Sequence, residues 1–192
     1  EVPLAGSFVV SGKDGKEAYV DPVIEKNGYR FAVKMGVPPT AARSGTKAAR
    51  GNFRCVMSGA PIDGEYLRRA GQAGAISERL MCIIAESSAG RVYLSPTDDD
   101  ERLARTANPT WQPDVEFFQQ ALGFRIGNYG MSKWSDLFTR RQLVALGTFS
   151  ELVTEARSRI KDAALKAGLA DDNQRLDEGG TGAQAYADAV ST

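Results

Sequence analysis

Apolar positions change period along this chain, and the changes divide it. From Glu1 to Met35 they fall in short runs rich in β-branched and aromatic residues: Phe8-Val9-Val10, Tyr19-Val20 and Tyr29-Phe31-Val33. Such runs favour strands. Lys13-Asp14-Gly15 and Lys26-Asn27-Gly28 lie between them, and Asp-Gly and Asn-Gly tolerate the positive φ of a tight hairpin. The stretch predicts an antiparallel β-meander. Tyr29, Phe31 and Val33 alternate with Arg30, Ala32 and Lys34, so one face is buried. Pro22 predicts an edge or a bulge in the middle strand.

The alternation stops at Gly36, and Gly36 to Gly51 reads as a loop. Asn52 to Met57 reads as a short strand, and Ile62 to Ala73 as a helix. Leu80 to Ala85 is a continuous apolar run of strand length. It predicts a strand buried on both faces, paired with Arg91-Val92-Tyr93-Leu94 across a turn at Ser87 to Gly90. Thr97 caps a short helix whose first turn holds Asp98, Asp99, Asp100 and Glu101. Asn108-Pro109-Thr110-Trp111 reads as a proline turn. Phe117, Phe118, Leu122, Phe124 and Ile126 form an aromatic-rich connector, and Tyr129, Trp134 and Phe138 pack where it enters the next helix.

That helix is the longest pattern in the chain. Leu143, Leu146, Phe149, Val153, Ala156, Ile160 and Ala164 recur at spacings of three or four, which places them on one face. Thr139 and Gln142 have capping-box spacing. Gly168 suits a left-handed stop. Some 28 helical residues would span about 42 Å and need a partner for the apolar stripe. A glycine-rich turn, Gly179-Gly180-Thr181-Gly182, then opens a last helix from Ala183 to Val190; such a turn can hold an anion.

The fold class expected is α+β: an N-terminal antiparallel β-meander with a degenerate zinc-ribbon-like knuckle, a small central sheet, and a C-terminal part built on one long helix. The segments expected are residues 1–60, 61–128 and 129–192. The chain starts without Met and stops inside a helical pattern, so it reads as an excised piece of a longer protein.

Composition narrows the chemistry. The 192 residues hold no histidine, which removes histidine acid–base catalysis, Ser-His and Cys-His pairs and most zinc sites. The two cysteines, Cys55 and Cys82, make no disulfide framework, and a reducing, cytoplasmic setting is expected. No apolar run approaches the roughly 20 residues that cross a bilayer, so no membrane partner is expected. Lys and Arg balance Asp and Glu at 24 each; any attraction for nucleic acid must therefore be local.

One such local excess exists. Between Lys34 and Ile62 there are five basic residues and no acid. Arg43, Lys47, Arg50 and Arg54 are the candidate phosphate contacts, the first three on the loop from Gly36 to Gly51, which reads either as a mobile phosphate-binding loop or as a solvated surface loop. Beside them, Cys55-Val56-Met57-Ser58-Gly59 looks like a zinc knuckle with its second thiol replaced. Tetrahedral zinc needs four converging ligands, so no metal is expected. No catalytic and no cofactor-binding residue is expected in the chain either.

Taken together, EVPLAGSF, CVMSGAPI, GRVYLSPT, NYGMSKWSDLFTRRQLVALGTFSELV and GAQAYADAV resemble, in this order, the middle region of the large prokaryotic adenine-specific DNA methylase family that contains a zinc ribbon. The resemblance covers nearly the whole chain. It implies a parent that transfers a methyl group from S-adenosylmethionine to an adenine amine in DNA. It also implies that the cofactor and catalytic motifs lie outside this region, and that a thiol pair precedes Glu1. The piece itself would be a non-catalytic insertion that positions DNA or the target base, with DNA and the rest of the parent chain as its partners. The alternative is a structural module of a multi-protein defence or restriction-like assembly.

Overall fold

The computed structural model describes residues 1–49, 51–118 and 125–191. Arg50, Leu122 and Phe124 lie outside the described residues. Among the described residues the architecture is mixed α+β, with small antiparallel sheets and five α-helices, one of them much longer than the rest. The chain divides into two compact units, Glu1–Thr106 with Asp114–Leu137, and Ala107–Pro113 with Phe138–Thr192.

In the first unit, β1 (Val9–Ser11), β2 (Ala18–Glu25) and β3 (Gly28–Met35) form the expected meander in the order β1-β2-β3. Pro22 lies opposite Phe31 in the central strand. β1 pairs only as far as Val9 with Tyr19, so β2 is already an edge on that side when it reaches Pro22. The missing N–H therefore costs no ladder bond. Phe8, Val20, Tyr29, Phe31 and Ala42 make the core. The buried Phe8 and Phe31 each contribute roughly 1.5–3 kcal/mol of apolar transfer.

The segment read as a loop contains a short helix, α1 (Thr40–Ser44). β4 (Phe53–Arg54) and β5 (Pro61–Ile62) form a two-residue hairpin ladder, shorter than the strand expected from Asn52 to Met57. α2 (Gly64–Gln72) follows, capped by Asp63. β6 (Ile83–Ser87) pairs with β7 (Gly90–Leu94) in a sheet of their own. The expectation of a strand buried on both faces fails here. Pairing begins only at Ile83, and Ile84 is 54% exposed, because a lone hairpin has no second layer on that side. α3 (Asp98–Arg105) has the expected Thr97 cap, closed as a box with Asp100.

The second unit is built on α4 (Arg140–Lys166) and α5 (Ala183–Val190). Thr139 and Gln142 form the capping box that their spacing predicts. Gly168 ends the helix at φ +93°, where a side chain would be strained. Ala183, Ala185 and Ala187 are buried in α5, and its small face packs on α4. Of the apolar stripe of α4, Leu143 and Ala164 are buried, whereas Leu146, Phe149 and Val153 stay exposed. The stripe is therefore covered at its two ends, and among the described residues nothing covers Leu146 to Val153 between them. No helix among the described residues is long and apolar enough to cross a membrane.

Candidate nucleic-acid interface

Around Thr46 the basic stretch is tied to the N-terminal segment by hydrogen bonds. The Thr46 side chain is buried. Its Oγ1 donates to the Pro3 carbonyl at 2.7 Å and accepts from the Ala5 amide at 3.0 Å. The amides of Thr46 and Lys47 both donate to the Ala5 carbonyl, at 2.9 and 3.1 Å. Phe8 N–H donates to the Ala42 carbonyl at 2.7 Å, which ties α1 to the meander. Gly45 makes this approach possible: at φ +59° it would carry a Cβ 2.3 Å from the Ala5 carbonyl oxygen, a contact no side chain survives.

Three of the candidate phosphate contacts are described. Lys47 bridges to Phe53 in antiparallel register, and the Arg54 amide donates to the Thr46 carbonyl at 2.8 Å. Lys47 and Arg54 therefore stand on neighbouring paired segments, and Arg43 lies on α1 just before them. All three are exposed. Arg43 Nε donates to the Pro38 carbonyl at 3.1 Å and Arg54 Nη1 to the Gly59 carbonyl at 3.3 Å. Among the described residues none of the three has a carboxylate partner, whereas Arg30, Lys34, Arg69, Arg79 and Arg91 in the same unit are all ion-paired. Charges held by rigid backbone and left uncompensated are what a phosphate backbone recognises. Arg50 belongs to the same stretch in sequence, outside the described residues.

Arg68 joins this surface and was not apparent from sequence. The Gly64 amide donates to Asn52 Oδ1 at 2.9 Å, which brings the start of α2 onto the basic stretch. The Arg68 Nη1 atom lies 3.7 Å from where a Gly64 Cβ would stand. Arg68 sits one helical turn beyond Gly64, and that spacing was the only signal available.

The turn that holds Cys55 to Gly59 joins β4 to β5. Cys55 N–H donates to the Ala60 carbonyl, and Gly59 N–H returns to the Cys55 carbonyl, both at 2.8 Å. The Ser58 hydroxyl, then the amides of Ser58 and Met57, hold the Cys55 thiol below its ordinary pKa. Burial pushes the Cys82 thiol the other way. Among the described residues there is no group of three or more Cys, Asp or Glu side chains that could hold a metal.

Two other features bear on ligands. Arg79 lies over Tyr29 at 4.6 Å and over Phe31 at 5.5 Å from the ring centroids, and these residues line a recess of about 510 Å³. The guanidinium is already used: its Nε pairs with Glu101 at 3.0 Å and its Nη1 with the Tyr29 carbonyl at 3.1 Å. In the second unit, the glycine-rich turn before α5 is filled by the chain itself. The Gly182 amide donates to Asp172 Oδ2 at 3.1 Å, and a Cβ on Gly182 would be 2.4 Å from the Ala170 carbonyl oxygen. Asp172 thus supplies the anion that the turn could have taken from outside. Comparison with models of protein families, with curated proteins and with solved structures finds no match to this chain.

Proposed function

We propose that this chain is a non-catalytic internal region of an adenine-specific DNA methyltransferase, an insertion that helps to position DNA or the target base. The order of the five family-like segments along the chain supports this reading. The observation that carries the DNA part is the row of exposed, carboxylate-free cations Arg43, Lys47 and Arg54 on clamped backbone. The methyl donor of such a parent is S-adenosylmethionine. The glycine-rich turn before α5 does not fit it, being closed by Asp172 and by the Ala170 carbonyl. No step through the cofactor is assigned to this chain.

The finer reading of the Cys55–Gly59 turn, a zinc knuckle that has lost a ligand, belongs to the same proposal. It is supported by amides and a hydroxyl directed at the Cys55 sulfur, the arrangement that favours a thiolate. Ser58 in place of a thiol leaves a poor zinc ligand.

A second reading, a structural module of a larger assembly, is favoured by a different observation: Leu146, Phe149, Leu152 and Val153 are exposed on α4. An apolar surface of this kind marks an interaction site when it is contiguous. The two readings are separated by mixing the chain with duplex DNA at low salt and with labelled S-adenosylmethionine, and by size-exclusion chromatography of the chain alone. The DNA reading expects duplex binding without cofactor binding. Absence of duplex binding, together with self-association lost in Phe149→Asp, favours the module. A defined S-adenosylmethionine site or any methyl transfer by the chain alone overturns both.

A further inference from the structure

The second unit has a recess of its own, of about 460 Å³, where Asn108, Thr110, Trp111 and Gln112 meet Arg140, the first residue of α4. Trp111 is 63% exposed, and among the described residues its ring stacks on no other. Arg140 Nη2 donates to Asn108 Oδ1 at 2.7 Å. No carboxylate pairs with Arg140 among the described residues, and no acidic side chain lines the recess.

We propose that this recess binds a nucleotide, with the base against Trp111 and the phosphate on Arg140. An indole face left open to water is a stacking platform for any base. Arg140 has spent one of its N–H groups on Asn108, and the others can take a phosphate. That bond fixes the Asn108 amide as well. Its oxygen is occupied, so its NH2 group is left to donate. Gln112 adds a donor and an acceptor for a base edge. The surrounding charge agrees. Arg140 and Arg141 occupy the positive end of α4, and no acid stands in that first turn. Cations are unfavourable there until an anion arrives from outside. The same chemistry serves a free mononucleotide and a nucleotide within a single strand. The proposal does not rest on duplex binding by the first unit, and it survives or falls independently of it.

The test uses the full chain with Trp134→Phe, which leaves Trp111 as the sole tryptophan of the two. Its fluorescence is titrated with AMP, with a short single-stranded oligonucleotide, and with inorganic phosphate alone. Saturable quenching by AMP or by the oligonucleotide is expected, with little effect of phosphate. Equal molar affinities per site assign a free nucleotide, and a preference for the oligonucleotide assigns a strand. Arg140→Met should weaken binding about tenfold with an unchanged circular dichroism spectrum, and Gln112→Ala should weaken it less. Calorimetry of Trp111→Ala, with Trp134 intact, should show a loss of similar size. The proposal is overturned if neither ligand quenches saturably, or if quenching is the same in Arg140→Met.

Discussion

Gly71 of α2 and Gly130, which follows the 3-10 turn Ile126–Tyr129, meet backbone to backbone. A Cβ on Gly71 would stand 2.3 Å from the Tyr129 carbonyl oxygen, and one on Gly130 would stand 2.6 Å from the Gly71 carbonyl oxygen. The Gln72 side-chain amide also donates to the Asn128 carbonyl at 3.1 Å. The close approach holds α2 against the segment that leads away from the connector.

A prediction of unusual sign follows for Gly71→Ala. In a free helix this change stabilises by about 0.8–1 kcal/mol. Here the added methyl has to displace backbone, which typically costs about 1–3 kcal/mol. Urea unfolding should show a net loss of stability. A raised or unchanged midpoint would mean that Gly71 and Gly130 do not hold the two segments together.

The two thiols should separate by reactivity. Alkylation follows the thiolate fraction, and Ser58 lowers the pKa of Cys55 while burial raises that of Cys82. Iodoacetamide near neutral pH should label Cys55 first, and Ser58→Ala should slow that labelling. Peptide mapping by mass spectrometry reads the order. Equal rates, or Cys82 first, would refute the arrangement of donors around Cys55.

Asp188 makes the packing of α5 pH-dependent. It is buried, accepts from the Leu176 amide at 3.2 Å and from Gln184 Nε2 at 3.0 Å, and faces Arg157 Nε at 3.4 Å. The Leu176 amide, then Gln184 and Arg157, favour the carboxylate and hold its pKa below the ordinary value even though burial opposes this. A lowered folded-state pKa contributes stability above the unfolded value of about 3.9, and that contribution is lost as pH falls through the folded pKa. Thermal melts followed by Trp111 in Trp134→Phe should therefore fall in midpoint below about pH 4. Asp188→Asn should lower the midpoint at pH 7, by several degrees for a unit of this size, and flatten the acid limb. An acid limb unchanged by Asp188→Asn would show that other carboxylates, Asp100 among them, carry it.

What could be read from sequence was local. Thr139 with Gln142 announced its capping box, and Thr97 its cap, because a cap needs only neighbouring residues. The β2–β3 turn falls where the Lys26-Asn27-Gly28 signal put it, but its two loop residues are Lys26 and Asn27, and Gly28 already pairs with Glu25. Contacts between distant residues were invisible. Nothing near Asp188 in sequence points to Arg157, and nothing near Thr46 points to the Pro3 carbonyl that accepts from its hydroxyl. The run Leu80 to Ala85 misled because hydrophobicity states what a strand would tolerate, not whether a second layer arrives to cover it. The stripe on α4 has the same limit: its period defines a face, and Phe149 on that face remains 67% exposed. At the basic stretch, the lack of acids was legible, but the clamping of Lys47 beside Arg54 and the approach of Arg68 were not.

The central claim is that the cations of the clamped stretch hold DNA by its phosphates. Its most direct measurement is duplex affinity across a salt series, for the chain and for a variant with Arg43, Lys47, Arg50 and Arg54 replaced by Gln. Each neutralised phosphate contributes a slope of about −0.9 in log K against log salt. The account predicts measurable binding at low salt, a steep salt dependence, and a slope flattened by roughly 0.9 for each phosphate that the variant leaves without its cation. No binding at low salt, or the same slope in both proteins, would contradict it.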